Sequence, residues 1–469
     1  MAAAGVAFSL PGSASAQTSS QRLSMPPLLD ATKSRRFSLR AQAGETNFLN
    51  RSASNTFGFN QAYLGPVIRV THGETEATVE NALNRPVSTH WHGLLIPGEV
   101  DGGPHQPVLA GETWRVTLPI MQPSATAWYH SHIHEQTAEQ VHAGLAGVLQ
   151  ITDGRDDERG LPSTYGTDDL TLVVQDRRFD RRGRMTYSRG MHESMVGFLG
   201  DTVVVNGQIG SVAVVPAGIV RLRLLNGSNA RVYRFSMASG RELHMVATDA
   251  GLLPAPLALK DITLAPGERI EILVDFSGTD ADSLLSASVS NTPMMGGMMG
   301  GGGGSFDVQK FEVDPGLIPR IATLPTGIGE ALPDLDPTGA VQRQFTLDMG
   351  MGGGMMGRRG GGFSINGQPF DMSHINVAAK RGQTELWQVS APMMMHPFHV
   401  HGTRFQVLSE NGQPSAAQNR GWKDTVLIDG QAELLMRFDQ PAPNHAPYMY
   451  HCHILEHEDA GMMGQFSVS

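Results

Sequence analysis

The chain has 469 residues, a formal net charge of −10 and a single cysteine. That charge argues against nucleic acid or an anionic membrane as partner and mildly favours cations. One cysteine excludes an intrachain disulfide, and no run of about 18 apolar residues offers a membrane span. Charged residues are 17% and aromatics 6%, while Gly and Pro number 55 and 28, which suits a turn-rich all-β protein of about three domains.

Residues 1–19 read as an export-signal remnant. MAAAGVAFSLPGSASAQ holds a short apolar run followed by Ala14-Ser15-Ala16 as a cleavage site, without a basic start. This predicts a periplasmic protein; the competing reading is an Ala/Ser tail on a cytoplasmic one. Arg35-Arg36 resembles a twin-arginine signal, but no apolar segment follows it. RRFSLRAQAG alternates in polarity and predicts the first β-strand instead.

A three-fold pattern follows. Ile68–Asn81, Val212–Asn226 and Ile375–Ser390 each read as strand, Gly-containing turn, strand. Later in each third comes a turn-then-strand unit, from Ala110, Ala265 and Asp429. Short alternating strands with Gly, Pro and Asn turns predict Greek-key β-sandwiches. The expected domains are 20–155, 165–315 and 341–469, with the Pro-rich segment 316–340 as linker. Two stretches rich in Met and Gly, around Met294–Met299 and Met349–Met356, cannot build a packed core and are expected as mobile loops. Their thioethers would suit Cu(I), or their Met content is incidental.

Histidine is unevenly spread over this pattern. Four His-X-His pairs occur, 90/92, 130/132, 399/401 and 451/453, all in the first and third domains. Alternate side chains share one face of a strand, so each pair is a two-pronged clamp. A single such pair is weak evidence; eight imidazoles could hold three metals. The second-domain counterpart of the His90 stretch, NGSNARVYRFSM, has no histidine. The metal chemistry is therefore expected where domains one and three meet, with domain two as a spacer.

Cys452 lies between His451 and His453 and points to the opposite face. His396, three residues before His399, has that same opposite parity. His396, Cys452, His457 and Met462 together form a His2Cys set with a thioether, the ligand set of a blue-copper electron-transfer centre. The competing reading is a buried structural thiol.

HWHG, HSH, HPFHVHG and HCHILEHEDAGM resemble, in order and spacing, the four copper-binding motifs of the multicopper oxidases. HWHGLLIPGEVDGGPH and GWKDTVLIDG are similar to wording of the periplasmic copper-efflux oxidases within that family. The resemblance runs from about residue 21 to the end. It implies an all-β fold of three cupredoxin-like Greek-key sandwiches and four copper ions.

By position, the resemblance assigns the type 1 copper to His396, Cys452, His457 and Met462, and the type 2 copper to His90 and His399. One type 3 copper takes His92, His130 and His453, and the other takes His132, His401 and His451. The implied reaction is one-electron oxidation of substrate, Cu(I) or small aromatic reductants, coupled to four-electron reduction of dioxygen to water. Electrons would cross from Cys452 to its flanking histidines. Asp101 and Glu458 match family acids assigned to proton delivery, or they orient histidines from behind.

Pro392 stands where the copper-efflux oxidases carry an Asp, while Met394 matches their nearby methionine. Met351, Met355, Met356, Met393 and Met394 are the candidate substrate residues. A monomer is expected. The alternatives are a laccase for phenols, or a non-enzymatic exported copper-binding or scaffold protein of the same fold. Known scaffolds of the fold lose copper ligands, whereas all are present here.

Overall fold

The computed structural model describes residues 21–278, 280–289, 305–333, 335–349 and 362–469. The expected signal, the Met294–Met299 stretch and the Met/Gly stretch after Met349, with Met351, Met355 and Met356, lie outside the described residues. The all-β expectation holds: strands build three sandwiches and the described helices are short.

The predicted strand after Arg35 forms as Arg36–Thr46. Phe37, Leu39 and Ala41 turn inward while Arg36, Ser38 and Arg40 face solvent, as period-2 alternation requires. It is not the first strand, because Leu28–Asp30 precedes it and pairs in parallel with Val67–Val70.

The three-fold repeat seen in the sequence is also a repeat of pairing. The first strand of each unit, Val67–Val70, Val212–Val215 or Val377–Ala379, runs parallel to the last strand of its own domain. The second strand is Gly73–Asn81, Ile219–Asn226 or Thr384–Val400. Each runs parallel to its domain's early strand and antiparallel to the later turn-then-strand unit. In domains one and two the short turn between the two strands thus carries the chain from one sheet to the other, whereas in domain three Val377–Ala379 and Thr384–Val400 belong to one continuous hydrogen-bonded sheet.

Each sandwich has its own apolar core, centred on Phe59, Trp91 and Tyr129 in the first, Tyr233 and Phe235 in the second, and Trp387, Phe398 and Phe466 in the third. A separate apolar cluster of Phe48, Tyr63, Trp128 and Val141 with Val173, Val204 and Leu225 seals domain one to domain two. Among its described residues the segment 316–340 forms no strand, but Ile328 is buried with Ile219, Val246 and Leu273 against the second domain.

Candidate metal centres

Strand pairing brings the histidine clamps together two by two. His90 and His130 exchange backbone bonds, His90 N to His130 O at 2.9 Å and the reverse at 3.2 Å. In domain three, His399 lies opposite His451 and Phe398 opposite Cys452. The parity argument is thereby realised: the imidazoles share the face turned to domain one, while Cys452 and Phe398 belong to the apolar core of domain three. The register of Thr384–Val400 breaks between Ala391 and His396. Bulges of this kind re-aim side chains, and His396 emerges from it on the core side.

The first centre is a soft one. His396 Nδ1 lies 3.3 Å from Cys452 Sγ, His457 Nδ1 lies 3.8 Å from the same sulfur, and the two ring nitrogens are 3.4 Å apart. Met462 is fully buried beside them, its carbonyl accepting from Cys452 N at 3.1 Å. Burial pushes the Cys452 thiol up and both imidazoles down, His457 to about 3. Neutral imidazoles are ready ligands, and a thiol so placed loses its proton most readily to a bound cation. The far edge of His457 is closed: its Nε2 donates to the Met195 carbonyl of domain two at 3.1 Å, and Phe363 stacks on the ring at 4.4 Å.

The second centre is a cage of eight buried imidazoles, four from domain one and four from domain three. His132 Nε2 and His401 Nε2 each lie 3.3 Å from His451 Nε2, so the expected trio converges. His90 and His399 gather with His401. The rings of His92, His130 and His453 stand 5.2, 5.5 and 5.6 Å apart, a looser set, while the donors of His90, His92 and His130 come closer. Burial drives His92, His130, His132, His399, His401 and His453 well below the ordinary histidine range.

Half of these rings, His90, His92, His130 and His399, are tied at one nitrogen and bare at the other. Nδ1 of His90, His130 and His399 bonds a backbone carbonyl, and Nε2 of each has no partner. His92 is the reverse: its Nε2 meets Asp424 and its Nδ1 is bare. Buried polar atoms are nearly always satisfied, so these converging nitrogens without a protein partner are the donors that a metal would use. The donor set fits copper.

Asp101 and Glu458 both sit behind ligand rings. Asp101 Oδ2 accepts from His401 Nδ1 at 2.8 Å and lies 3.2 Å from His90 Nδ1. Glu458 places its two oxygens 3.3 Å from Nδ1 of His132 and His451, and burial pushes its carboxyl well up. The contacts favour orientation of histidines for Asp101. Among the substrate candidates, Met393 is exposed and Met394 is buried in the domain-three core.

Asp424, Thr425 and Met195 also touch these rings, Arg269 stands behind them on Asp424, and nothing in their spacing announces them. Asp424 stands inside GWKDTVLIDG. The expectation that domain two is a spacer needs correction, because its Arg269 and Met195 reach both centres.

Three family models, each described as multicopper oxidase, match residues 40–156, 124–297 and 336–469. Cell division protein FtsP of Xenorhabdus nematophila is 37% identical over 453 residues, covering 96% of this chain and 92% of that one. Its Escherichia coli K12 counterpart is 36% identical over 474 residues, covering 100% and 97%. Among solved structures, a laccase-like multi-copper oxidase, CueO from Ochrobactrum sp., described with oxidase activity towards lignin model compounds, is 40% identical. It superposes with a TM-score of 0.87 over 95% of this chain and all of that one.

The curated relatives correct the expectation that the chain's function is oxidation of Cu(I) or phenols. Proteins sharing over a third of their residues along its whole length are named for cell division. The ligand set explains metal binding; turnover also requires a path from an outside donor, and a fold shared with oxidases does not supply one.

Proposed function

Given that the chain belongs to the multicopper oxidase family, we propose that it serves as a non-enzymatic, exported copper-binding scaffold acting in cell division. Two observations support this reading. The curated relatives at 36–37% identity bear the cell-division name. The structural observation that carries it is the closed edge of His457, which is fully buried, hydrogen-bonded to Met195 O and covered by Phe363. Among the described residues, a donor in solvent has no imidazole edge of this centre to touch.

The retained ligands then have a structural use. One copper would take His396, Cys452 and His457 with Met462, and three more would occupy the histidine cage. Bound copper would add coordination bonds between domains one and three to the hydrogen bonds His92–Asp424 and His401–Asp101 that already join them at the cage. A scaffold needs its surfaces held in fixed relation, and such bonds fix them. The periplasm is the proposed location, on the expected signal at 1–19.

The test uses the full chain loaded with copper. Dioxygen uptake with Cu(I) or a phenol should not exceed that of free copper, and a cell lacking the protein should divide normally again when given the Cys452→Ser variant. Sustained dioxygen uptake that disappears in Cys452→Ser, or failure of that variant to restore division, would overturn the reading.

A further inference from the structure

Among the described residues domain two contributes no ligand to the cage, yet one of its arginines is built into the cage wall. Arg269 is fully buried and uses every N–H it has. Nε donates to Thr126 O of domain one at 3.0 Å. Nη1 donates to Gly267 O at 2.9 Å and to Asp424 Oδ1 at 2.7 Å. Nη2 donates to Asp249 O at 3.1 Å and to Asp424 Oδ2 at 2.5 Å. A guanidinium gripping both oxygens of a carboxylate fixes its plane as well as its position.

What Asp424 does with that fixed position matters for His92. Its Oδ1 lies 3.0 Å from His92 Nε2 and accepts from Thr425 Oγ1 at 2.9 Å. A carboxylate held by an arginine fork can only accept, so His92 Nε2 carries the hydrogen. A neutral imidazole has one N–H, and Nδ1 of His92 is therefore a bare lone pair. That atom is buried and has no partner. In His90, His130 and His399 the tied nitrogen is Nδ1 instead.

The surrounding chain is shaped around this pair. Gly93, next to His92, has φ +89°, and a Cβ there would lie 2.6 Å from Arg269 Nη2 and 2.8 Å from Asp424 Oδ2. The glycine of HWHG is thus required by the arginine–aspartate pair as well as by its own backbone. Two residues before Arg269, Gly267 has φ +84°, and a Cβ there would come within 2.8 Å of the His453 ring. The turn Ala265–Arg269 is pressed against the cage from the second domain.

We propose that Arg269 is a positioning residue for the metal cage: through Asp424 it fixes the His92 ring and decides that Nδ1, not Nε2, faces the metal. Domain two thereby controls the ligand atom of a residue in domain one by way of a carboxylate in domain three. The proposal rests on the reading that the cage binds copper, but its first test does not need the metal.

In metal-free, 15N-histidine-labelled protein, long-range nitrogen–proton correlation reports which nitrogen of each ring is protonated, and a His92→Gln variant identifies the His92 signals. The full chain should show His92 as the Nε2–H form. Arg269→Gln should show mixed tautomers at His92 while His130 is unmoved, and should lower copper affinity of the cage about 10–100-fold. Arg269→Lys, which keeps the charge but loses the fork, should fall between.

Should Arg269→Gln fail to fold, the shape-conserving Asp424→Asn variant must show the same loss of a single tautomer. A folded Arg269→Gln protein with an unchanged His92 tautomer and unchanged copper affinity overturns the proposal. A wild-type chain that binds no copper but keeps the Nε2–H form overturns instead the reading of the cage.

Discussion

Domain one meets its two neighbours through seams of opposite chemistry. Towards domain two it presents Phe48, Tyr63 and Trp128, and beside them Thr126 donates at 2.6 Å to Glu271, which also binds Arg221 and Arg223. Arg223 holds Asp169 as well. Every charge there has a partner. Towards domain three it presents four imidazoles, with four more opposite and bare nitrogens between them. The first seam is complete in the polypeptide; the second has direct bonds of its own, such as Asp101 to His401 and Tyr448 Oη to Ile96 O, but keeps bare nitrogens that bound metal would satisfy. Copper should therefore matter to one interface and be irrelevant to the other.

The largest effect expected of any single change is at the complete seam. Glu271→Gln leaves Arg221 and Arg223 buried with less compensation, and breaking such a pair costs about 3–5 kcal/mol. Urea unfolding should show this loss equally in metal-free and copper-loaded protein. A loss confined to one form would mean that the two seams are coupled and the comparison is wrong.

A slightly smaller effect comes from acid. Glu271 is buried, which opposes its charge, but Arg221 and Arg223 hold its carboxyl down to about 2, against an ordinary 4.5. The unfolded chain takes up this proton near 4.5 and the folded one only near 2, so the fold is favoured above that window and loses stability as pH falls through it. The shift corresponds to about 3 kcal/mol. Stability of metal-free protein measured from pH 5 to pH 2 should fall steeply, and the slope should flatten in Glu271→Gln.

These seams differ also in how much the sequence discloses. The repeat of strand, turn and strand was legible because period-2 alternation and Gly turns act locally, and the His-X-His clamps because they sit on single strands. The split of Cys452 and His396 from the other histidines followed from parity alone. Arg269, Asp424 and Met195 were not legible, since they reach the centres only after three domains have docked, and spacing along the chain records no such contact. Domain two was misjudged as a spacer for that reason: the absence of histidine in Asn226–Met237 says what it does not ligate, and nothing about Arg269. The oxidase expectation failed one level higher, because ligands identify a metal but not whether a donor can reach it, and the closed edge of His457 is a tertiary feature.

The smallest effect, and the one that separates the seams most directly, is that of the metal itself. A ligand that binds only the folded state stabilises it by about 2.7 kcal/mol at one hundred times its dissociation constant. Copper at that excess should raise resistance to urea by this amount, and chelation should remove it. The gain should be the same in Glu271→Gln only where Thr126, which bonds both Glu271 and Arg269, passes no coupling between the two sites, and any difference measures that coupling. Hydrogen exchange locates it: protection should rise in Ala125–His130 and Tyr448–Cys452, which carry cage ligands. It should stay unchanged in Ile219–Asn226 and Arg269–Asp275 apart from Arg269 itself, which touches the cage wall. Equal protection across all three domains would show copper tightening the whole chain, and the cage would then be a part of one continuous core rather than a seam that closes on its ions.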